Sequence, residues 1–568
     1  MDDSDKCVDV LVAGSGAAGF AAALTARKAG LSVLMVEKEA VFGGTTAYSA
    51  GVVWIPMNHH ARAAGIDDSR EDALAYMADQ AGNYFDLARA EAYVDTAHAM
   101  MRAFEDEGWA EFDLAPAWAD YHPKAPGAVK GGRSLSPLEF DGRQLGDWFP
   151  KLRAPLKMMM GMGGMMIGRQ DVPHVLAMAR SARSALHVAG MMSRYFRDRL
   201  SGHGRGTRLM NGNALLAKMA VNAFEAGVEL WLESPLVSLE RDGRITGAAI
   251  ERDGTRQRVA VSRGVVLASG GFPRAAERTG AAYAHLAAGK NHITLPPQGN
   301  TGDSAGMVEE LGGRTTLDVA HPAAWTPVSR VPQADGTVEP DPHFIDRGKP
   351  GYIAVDRRGK RFASEAWSYH AFVPAMMAAC EDDPEIAAWV ICDHRALRRY
   401  GLGALGPAPC RVGPFVRSGY IKCGQTWSEL AAACGVDAEG LEETVSRFNA
   451  NASAGVDPEF ERGSDAYQVF NGDPAHRPNP SLAPLLQPPF YAVRVEPGEL
   501  GTFAGIATNA SAQVLDVEGA AIPGLYAVGN DAASVMGGAY PGAGITIGPA
   551  MTFGYIAGRH LAKGVGEE

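Results

Sequence analysis

No stretch of this chain reaches the ~18 uninterrupted apolar residues that a membrane-spanning helix needs. Lysine and arginine never gather into a run. The 53 of them are outnumbered by 65 acids, for a net charge of -12, which argues against nucleic acid as a partner. The six cysteines, at 7, 380, 392, 410, 423 and 434, are scattered without a CxxC pair, so reduced thiols in a cytoplasmic protein are the expectation. The opening MDDSDKCVDV is acidic and lacks the basic region of a secretory signal. No metal-ligand cluster stands out, and none is expected. Glycine, by contrast, is abundant, with 68 of 568 residues, roughly 12% against a typical ~7%. With hydrophobic content at 46%, that excess suits close backbone approaches to a ligand better than disorder. The length predicts more than one domain.

Residues 8–14, VDVLVAG, read as a buried parallel strand. GSGAAGFAAALTARKAG follows, with Gly14, Gly16 and Gly19 in G-x-G-x-x-G spacing and an Ala-rich helix ending near Gly30. A second apolar run, LSVLMVEK, carries Glu37 near its end. Gly14 allows the tight turn, Gly16 lets backbone approach a pyrophosphate, and Gly19 lets helix and strand pack closely. The helix N-terminus offers free N–H groups to the phosphates, and Glu37 can accept hydrogen bonds from ribose hydroxyls. This is a dinucleotide site with its full context.

The next stretch, KEAVFGGTTAYSAGVVWIP, places Gly44, Thr45, Thr46, Ser49 and Gly51 where hydroxyls and amides can wrap a pyrophosphate and reach a ring. Here the chain resembles the flavoprotein family of fumarate reductases and 3-ketosteroid dehydrogenases, whose cofactor is FAD. That resemblance further implies cofactor contacts at Ser15, Ala18 and Lys38. It implies an adenine contact at Val237, in ELWLESPLVSLERDG, and a cofactor contact at Gly270, in QRVAVSRGVVLASGGF, read as strand, turn and a strand that closes the first FAD segment. Gly529 and Asn530 would close the last FAD strand, AIPGLYAVGN, and Ile547 would follow it. The implied fold is α/β: a split Rossmann-like FAD-binding domain, 1–280 and 490–568, with an inserted α+β substrate-binding domain at 281–489. Within the insert, GNTGDSAGMVEELGG reads as a turn and a helix from about Ser304. GYIAVDRRGKRFASEAWSYHAF reads as strand, turn at Arg358–Gly359, second strand and polar loop. Residues 426–449 read as two short helices broken at Gly435, with Thr426 as an N-cap. The Met-rich MMMGMGGMMIG, 158–168, is either an adaptable apolar wall or a patch for peripheral membrane contact.

Fumarate reduction requires cations to hold two carboxylates. In the family an Arg follows the GxRFxNE stretch, a His stands in HTMGG and an Arg in GANRLGGN. The corresponding places here have Tyr369, LGTFAGIATN without His, and Tyr540. Two cations are thus replaced by phenols, which argues against a dicarboxylate substrate. GGAYPGAGITIGPAMTFGYIA and DYHPKAPG are instead similar to stretches of the 3-ketosteroid Δ1-dehydrogenases. The resemblance implies that the Tyr540 hydroxyl and the Gly544 N–H bind the substrate ketone, that Tyr369 removes the α proton, and that Tyr121 assists Tyr369. It implies a steroid-like cyclic ketone and an external electron acceptor. A smaller cyclohexanone-type ring, a Δ4-desaturation, the reverse ene-reduction and a non-catalytic electron relay stay open as alternatives. A lone Tyr is more often a packed core or rim residue with a satisfied hydroxyl.

Overall fold

The computed structural model describes residues 6–178 and 181–563. The strand Lys6–Ala13 is valine-rich and fully buried from Val10 on. A strand covered on both faces needs apolar residues at every position. It pairs in parallel with Val33–Val36 on one side and Thr255–Leu267 on the other. Outward lie the parallel strand Glu229–Trp231 and the antiparallel strands Arg244–Arg252 and Leu236–Asp242. Ala521–Ala527 returns from the far end of the sequence to pair in parallel with residues 265–267. Both ends of the chain therefore build one eight-stranded sheet, as expected of a split Rossmann-like fold.

The helix Ala17–Lys28 buries ten residues, mostly alanine. It packs against the last helix, Ile547–Lys563, through a seam of small residues. A Cβ on Gly554 would lie 2.5 Å from the Ala18 carbonyl oxygen, and one on Gly558 would lie 2.7 Å from Thr25. A second, seven-stranded sheet centres on Phe490–Thr502. Ala323–Pro332, Ala388–Cys392 and Ile421–Gly424 run antiparallel to it and Ile293–Thr294 runs parallel. Among the described residues, no helix is long and apolar enough to cross a membrane.

Two local expectations are corrected. Arg263–Gly264 is not a turn: Thr255–Leu267 is one strand of 13 residues whose pairing slips between Val8 and Val10. Gly264 is required there by close approach, since a Cβ would lie 2.4 Å from the Gly524 carbonyl oxygen. No second strand follows the turn at Gly359. Instead Arg361 pairs with Glu365 and Asp457, and Arg462 with Glu365, in a buried network. Side-chain ion pairs thus anchor the segment, and the helix Tyr369–Ala379 begins directly after it. The helices Trp427–Cys434 and Ala438–Ser453 break at Gly435 as read, with Thr426 accepting from the Glu429 N–H. In the Met-rich stretch, Met160–Gly161 and Met165–Met166 form a hairpin. Met165 packs on Met191 and Tyr195, while Met158 and Met162 stay exposed.

Candidate active site

The glycine cradle is forced by sterics. Gly14 has φ of +111°, and a Cβ there would sit 2.1 Å from the Ala268 carbonyl oxygen; a Cβ on Gly19 would sit 2.2 Å from the Gly14 oxygen. Gly16 caps the helix Ala17–Lys28 without any side-chain hydrogen bond, so backbone N–H groups remain for a phosphate. The Thr46 hydroxyl accepts from the Ala17 N–H at 3.2 Å and the Ser15 hydroxyl from the Gly43 N–H at 3.1 Å. These bonds fold the Gly43–Ser49 turn, with Gly44 at its head, over the helix start. Ser15 also donates to Glu37, whose carboxyl is raised chiefly by burial, with Ser15 opposing. Gly51, at φ +70°, approaches the Asn211–Gly212 peptide to 2.6 Å at its notional Cβ, and its N–H donates to Ser49 at 2.9 Å. Ala18 faces Gly529 across the cradle, 3.1 Å from that residue's notional Cβ.

Three further positions expected at the cofactor have the following settings. The Asn300 amide donates to the Gly270 carbonyl and to the Thr45 hydroxyl, at 3.0 and 3.1 Å. The Asn530 carbonyl accepts from Thr502, and Ile547 opens the last helix. Val237 falls in the irregularity between Leu236 and Ser238, near the end of Glu37's strand, because the Ser234 N–H donates to the Glu37 carbonyl at 2.9 Å. Lys38 differs from its neighbours. Its ammonium is held at the surface by Asp303 and Thr301, at 2.7 and 2.6 Å.

The three sequence-derived tyrosines converge from distant parts of the chain. The Tyr121 hydroxyl donates to that of Tyr369 at 3.2 Å. The Tyr121 ring stacks on Tyr540 at 5.6 Å with planes 8° apart, and Tyr369 meets Tyr540 edge-on at 5.2 Å. All three are more than nine-tenths buried. Burial pushes the Tyr121 and Tyr369 phenols well above the ordinary value, with the neighbouring phenols adding to it. Tyr540 is raised less: burial is opposed by hydrogen bonding to Tyr369 and Thr546. Tyr369 opens its helix behind the N-cap Ser368, which accepts from the Ala371 N–H. The helix start fixes the residue's direction.

A clamp holds Tyr121 against the Tyr540 segment. The Tyr121 N–H and the Tyr76 hydroxyl both donate to the Pro541 carbonyl, at 2.8 and 2.6 Å. Ser134 donates to the Ala543 carbonyl at 2.9 Å, and the Trp54 N–H to the Gly544 carbonyl at 3.2 Å. Behind it, buried Arg133 bridges Asp68 and Asp120, and Asp120 accepts from the Trp54 indole at 2.8 Å. Gly544 has φ of +97°, and its notional Cβ lies 2.5 Å from Val53 backbone. Among the described residues none accepts a hydrogen bond from the Gly544 N–H.

Sequence reading missed several neighbours. Tyr467 lies 4.6 Å from the Tyr121 ring, Phe344 5.1 Å from Tyr369, and His370 5.6 Å from Tyr540. His370 Nδ1 accepts from the Trp325 N–H at 3.1 Å, which leaves its proton on Nε2. Asp531, which accepts from the Ser269 and Gly271 N–H groups at 2.6 and 2.9 Å, was also missed. Of these, only His370 carries a signal in the sequence, as the residue next to Tyr369. No metal cluster was expected either, yet ligand atoms of His59, His60 and Glu105 lie within 4.8 Å of one another. Both Nε2 atoms contact the one carboxylate, at 2.8 and 2.9 Å, and burial lowers the His59 imidazole, with Glu105 opposing.

Known proteins match the chain over nearly its whole length. The FAD binding domain family model matches residues 9–547. The chain is 42% identical to 4-oxocyclohex-2-ene-1-carboxylate 5-dehydrogenase of Sinomonas cyclohexanicum, over 98% of this chain and 94% of that protein. It is 35% identical to 3-oxosteroid 1-dehydrogenase of Mycobacterium tuberculosis, over 98% and 99% of the two chains. The solved 3-ketosteroid Δ1-dehydrogenase of Sterolibacterium denitrificans, in complex with 1,4-androstadiene-3,17-dione, superposes with a TM-score of 0.89 at 34% identity, covering 98% of this chain and all of that one. The glycine cradle and these matches agree on the cofactor: the chain belongs to the FAD binding domain family and is an FAD-dependent oxidoreductase of its cyclic-ketone dehydrogenase branch.

Proposed function

We propose that the protein desaturates a cyclic ketone beside its carbonyl, with 3-oxosteroid Δ1-dehydrogenation as the leading reaction. The convergence of Tyr121, Tyr369 and Tyr540 next to the free N–H of Gly544 carries this reading. FAD, when bound, accepts the hydride released from the β carbon. The Tyr540 hydroxyl and the Gly544 N–H hold the ketone oxygen. They stabilise the charge that develops there as the α proton leaves, each donor being worth roughly 3–4 kcal/mol. Tyr369, as the phenolate, takes that proton and becomes the neutral phenol, and Tyr121 supports the phenolate beforehand through its 3.2 Å hydrogen bond. The surrounding aromatic rings of Phe344 and Tyr467 keep water away. Electrons then pass to an external acceptor.

A second reading keeps this chemistry on a single six-membered ring bearing a carboxylate. It is favoured by the 42% identity to the Sinomonas enzyme. We further place the FAD-binding portions at 1–280 and after residue 502. The sequence-based boundary at 490 would divide the seven-stranded sheet, because Phe490–Thr502 is its central strand. Anaerobic mixing with androst-4-ene-3,17-dione and with 4-oxocyclohex-2-ene-1-carboxylate tests both readings. The leading one expects flavin bleaching by the steroid. Bleaching by the small acid alone selects the second, and bleaching by neither rejects both.

A further inference from the structure

Arg89 is 7% exposed. Arg133 has two carboxylates and Arg361 three, but among the described residues no carboxylate lies within ion-pair distance of the Arg89 guanidinium. Buried Arg347 also lacks an ion pair among the described residues, but it donates to the backbone carbonyls of His343, Phe344, Glu365 and Trp367; Arg89 has fewer partners. Its NH2 group donates to the Ala533 carbonyl at 2.5 Å, its plane lies 5.6 Å over the Phe553 ring, and its Nε has no hydrogen-bond partner. The nearest acid in sequence, Asp86, accepts from the Arg89 backbone N–H and so caps the helix Leu87–Asp106. Burying an uncompensated cation costs several kcal/mol, so such a charge signals a missing anion.

The surroundings say which anion. Arg89 lines a cavity together with Asn530, Thr502, Thr546 and Pro549. Thr546 immediately precedes the helix Ile547–Lys563, which is long enough to carry a full dipole, and its N-terminus adds positive potential to that of Arg89. Gly529 and Asn530 of the FAD cradle belong to the same cavity wall. A hydride arrives with two electrons and one proton, so an isoalloxazine that accepts it gains negative charge at its pyrimidine end.

We propose that Arg89, with the N-terminus of the last helix, forms the electrostatic site that holds the negative charge of the two-electron-reduced flavin. It thereby raises the reduction potential and makes hydride transfer from an unactivated carbon favourable. This rests on FAD being the hydride acceptor, as argued above. Arg89 here tunes the cofactor and does not touch the reacting carbons.

The test is the flavin midpoint potential of holoenzyme, measured by dye-coupled reduction, for wild type, Arg89→Gln and Arg89→Lys, with FAD affinity followed in parallel. Removing the charge should weaken binding of reduced relative to oxidised FAD by roughly tenfold to a hundredfold. That lowers the potential by about 30 to 60 mV at 29.6 mV per decade for a two-electron couple, with oxidised-FAD affinity changed less than threefold. Arg89→Lys should stay within about 10 mV of wild type. An Arg89→Gln potential equal to that of wild type overturns the proposal, as does weakened oxidised-FAD binding at unchanged potential, which would place the charge on the pyrophosphate instead. If Arg89→Gln does not retain FAD, the lysine variant decides, since a drop of 30 mV or more with the charge kept would also overturn it. Failure of any ketone to bleach the wild-type flavin would remove the proposed function and leave the potential measurement standing.

Discussion

Tyr540→Phe isolates one hydroxyl. The ring is held by stacking on Tyr121 and by edge contacts with Tyr369 and His370, all of which phenylalanine keeps. What is lost is one of the two donors proposed for the ketone oxygen. Such a donor is worth roughly 3–4 kcal/mol in the transition state, or about two to three decades at 1.36 kcal/mol per decade. Substrate affinity should change much less, because the ketone oxygen is only weakly negative before the proton leaves. Stability should fall by no more than ~1.5 kcal/mol, the ordinary net value of a hydrogen bond. The assay is anaerobic stopped-flow flavin reduction across substrate concentration, with thermal unfolding as the control on folding. A limiting rate within fivefold of wild type, in a folded variant with full FAD content, would refute the role given to Tyr540.

Tyr369→Phe should slow flavin reduction by 10²–10⁴-fold, the usual range for loss of a general base. Tyr121→Phe should cost less, about tenfold, and should displace the pH profile, since it acts through the 3.2 Å contact with Tyr369. Because burial raises the Tyr369 phenol above 10.0 in the free chain, the phenolate fraction is small at neutral pH, so kcat/KM should climb with pH through 9; a profile flat from pH 7 upward contradicts a phenolate base. Gly544→Ala should give little folded protein, because a Cβ would sit 2.5 Å from Val53 backbone at a φ of +97°; normal yield and activity would contradict it. Burial works against the Glu365 carboxylate, but Arg361 and Arg462 hold it down at about 2 from 4.5. Its share of stability is therefore complete above about pH 4.5 and lost as pH falls through 2, and Glu365→Gln should cost roughly 3–5 kcal/mol at pH 7 and flatten acid unfolding over that window.

Local constraint decided what was readable from sequence. The Gly14–Gly19 turn combines a steric requirement with a short pattern, and it, the strand leading to Glu37 and the returning strand Ala521–Ala527 lie where the pattern puts them. Tyr540 and Tyr369 were legible only by resemblance, as phenols in places where relatives carry arginine. Tyr467 and Phe344 have no local pattern, because what brings them to Tyr121 and Tyr369 is tertiary packing. The strand expected after Gly359 failed for a related reason. Arg361 and Glu365 both point into a buried ion-pair network whose partners, Asp457 and Arg462, lie about 100 residues away. Lys38 shows the reverse case, a sequence position adjacent to the cofactor acid whose side chain turns away to Asp303.

The most direct test follows the α and β hydrogens of one ketone. Anaerobic single-turnover reduction with androst-4-ene-3,17-dione deuterated at C1, and separately at C2, should bleach the flavin and yield the 1,4-diene. The C1 label should slow bleaching through hydride loss, while the C2 label should be released to solvent. Bleaching by succinate but not by any cyclic ketone, or a diene formed with both labels retained, would contradict the account.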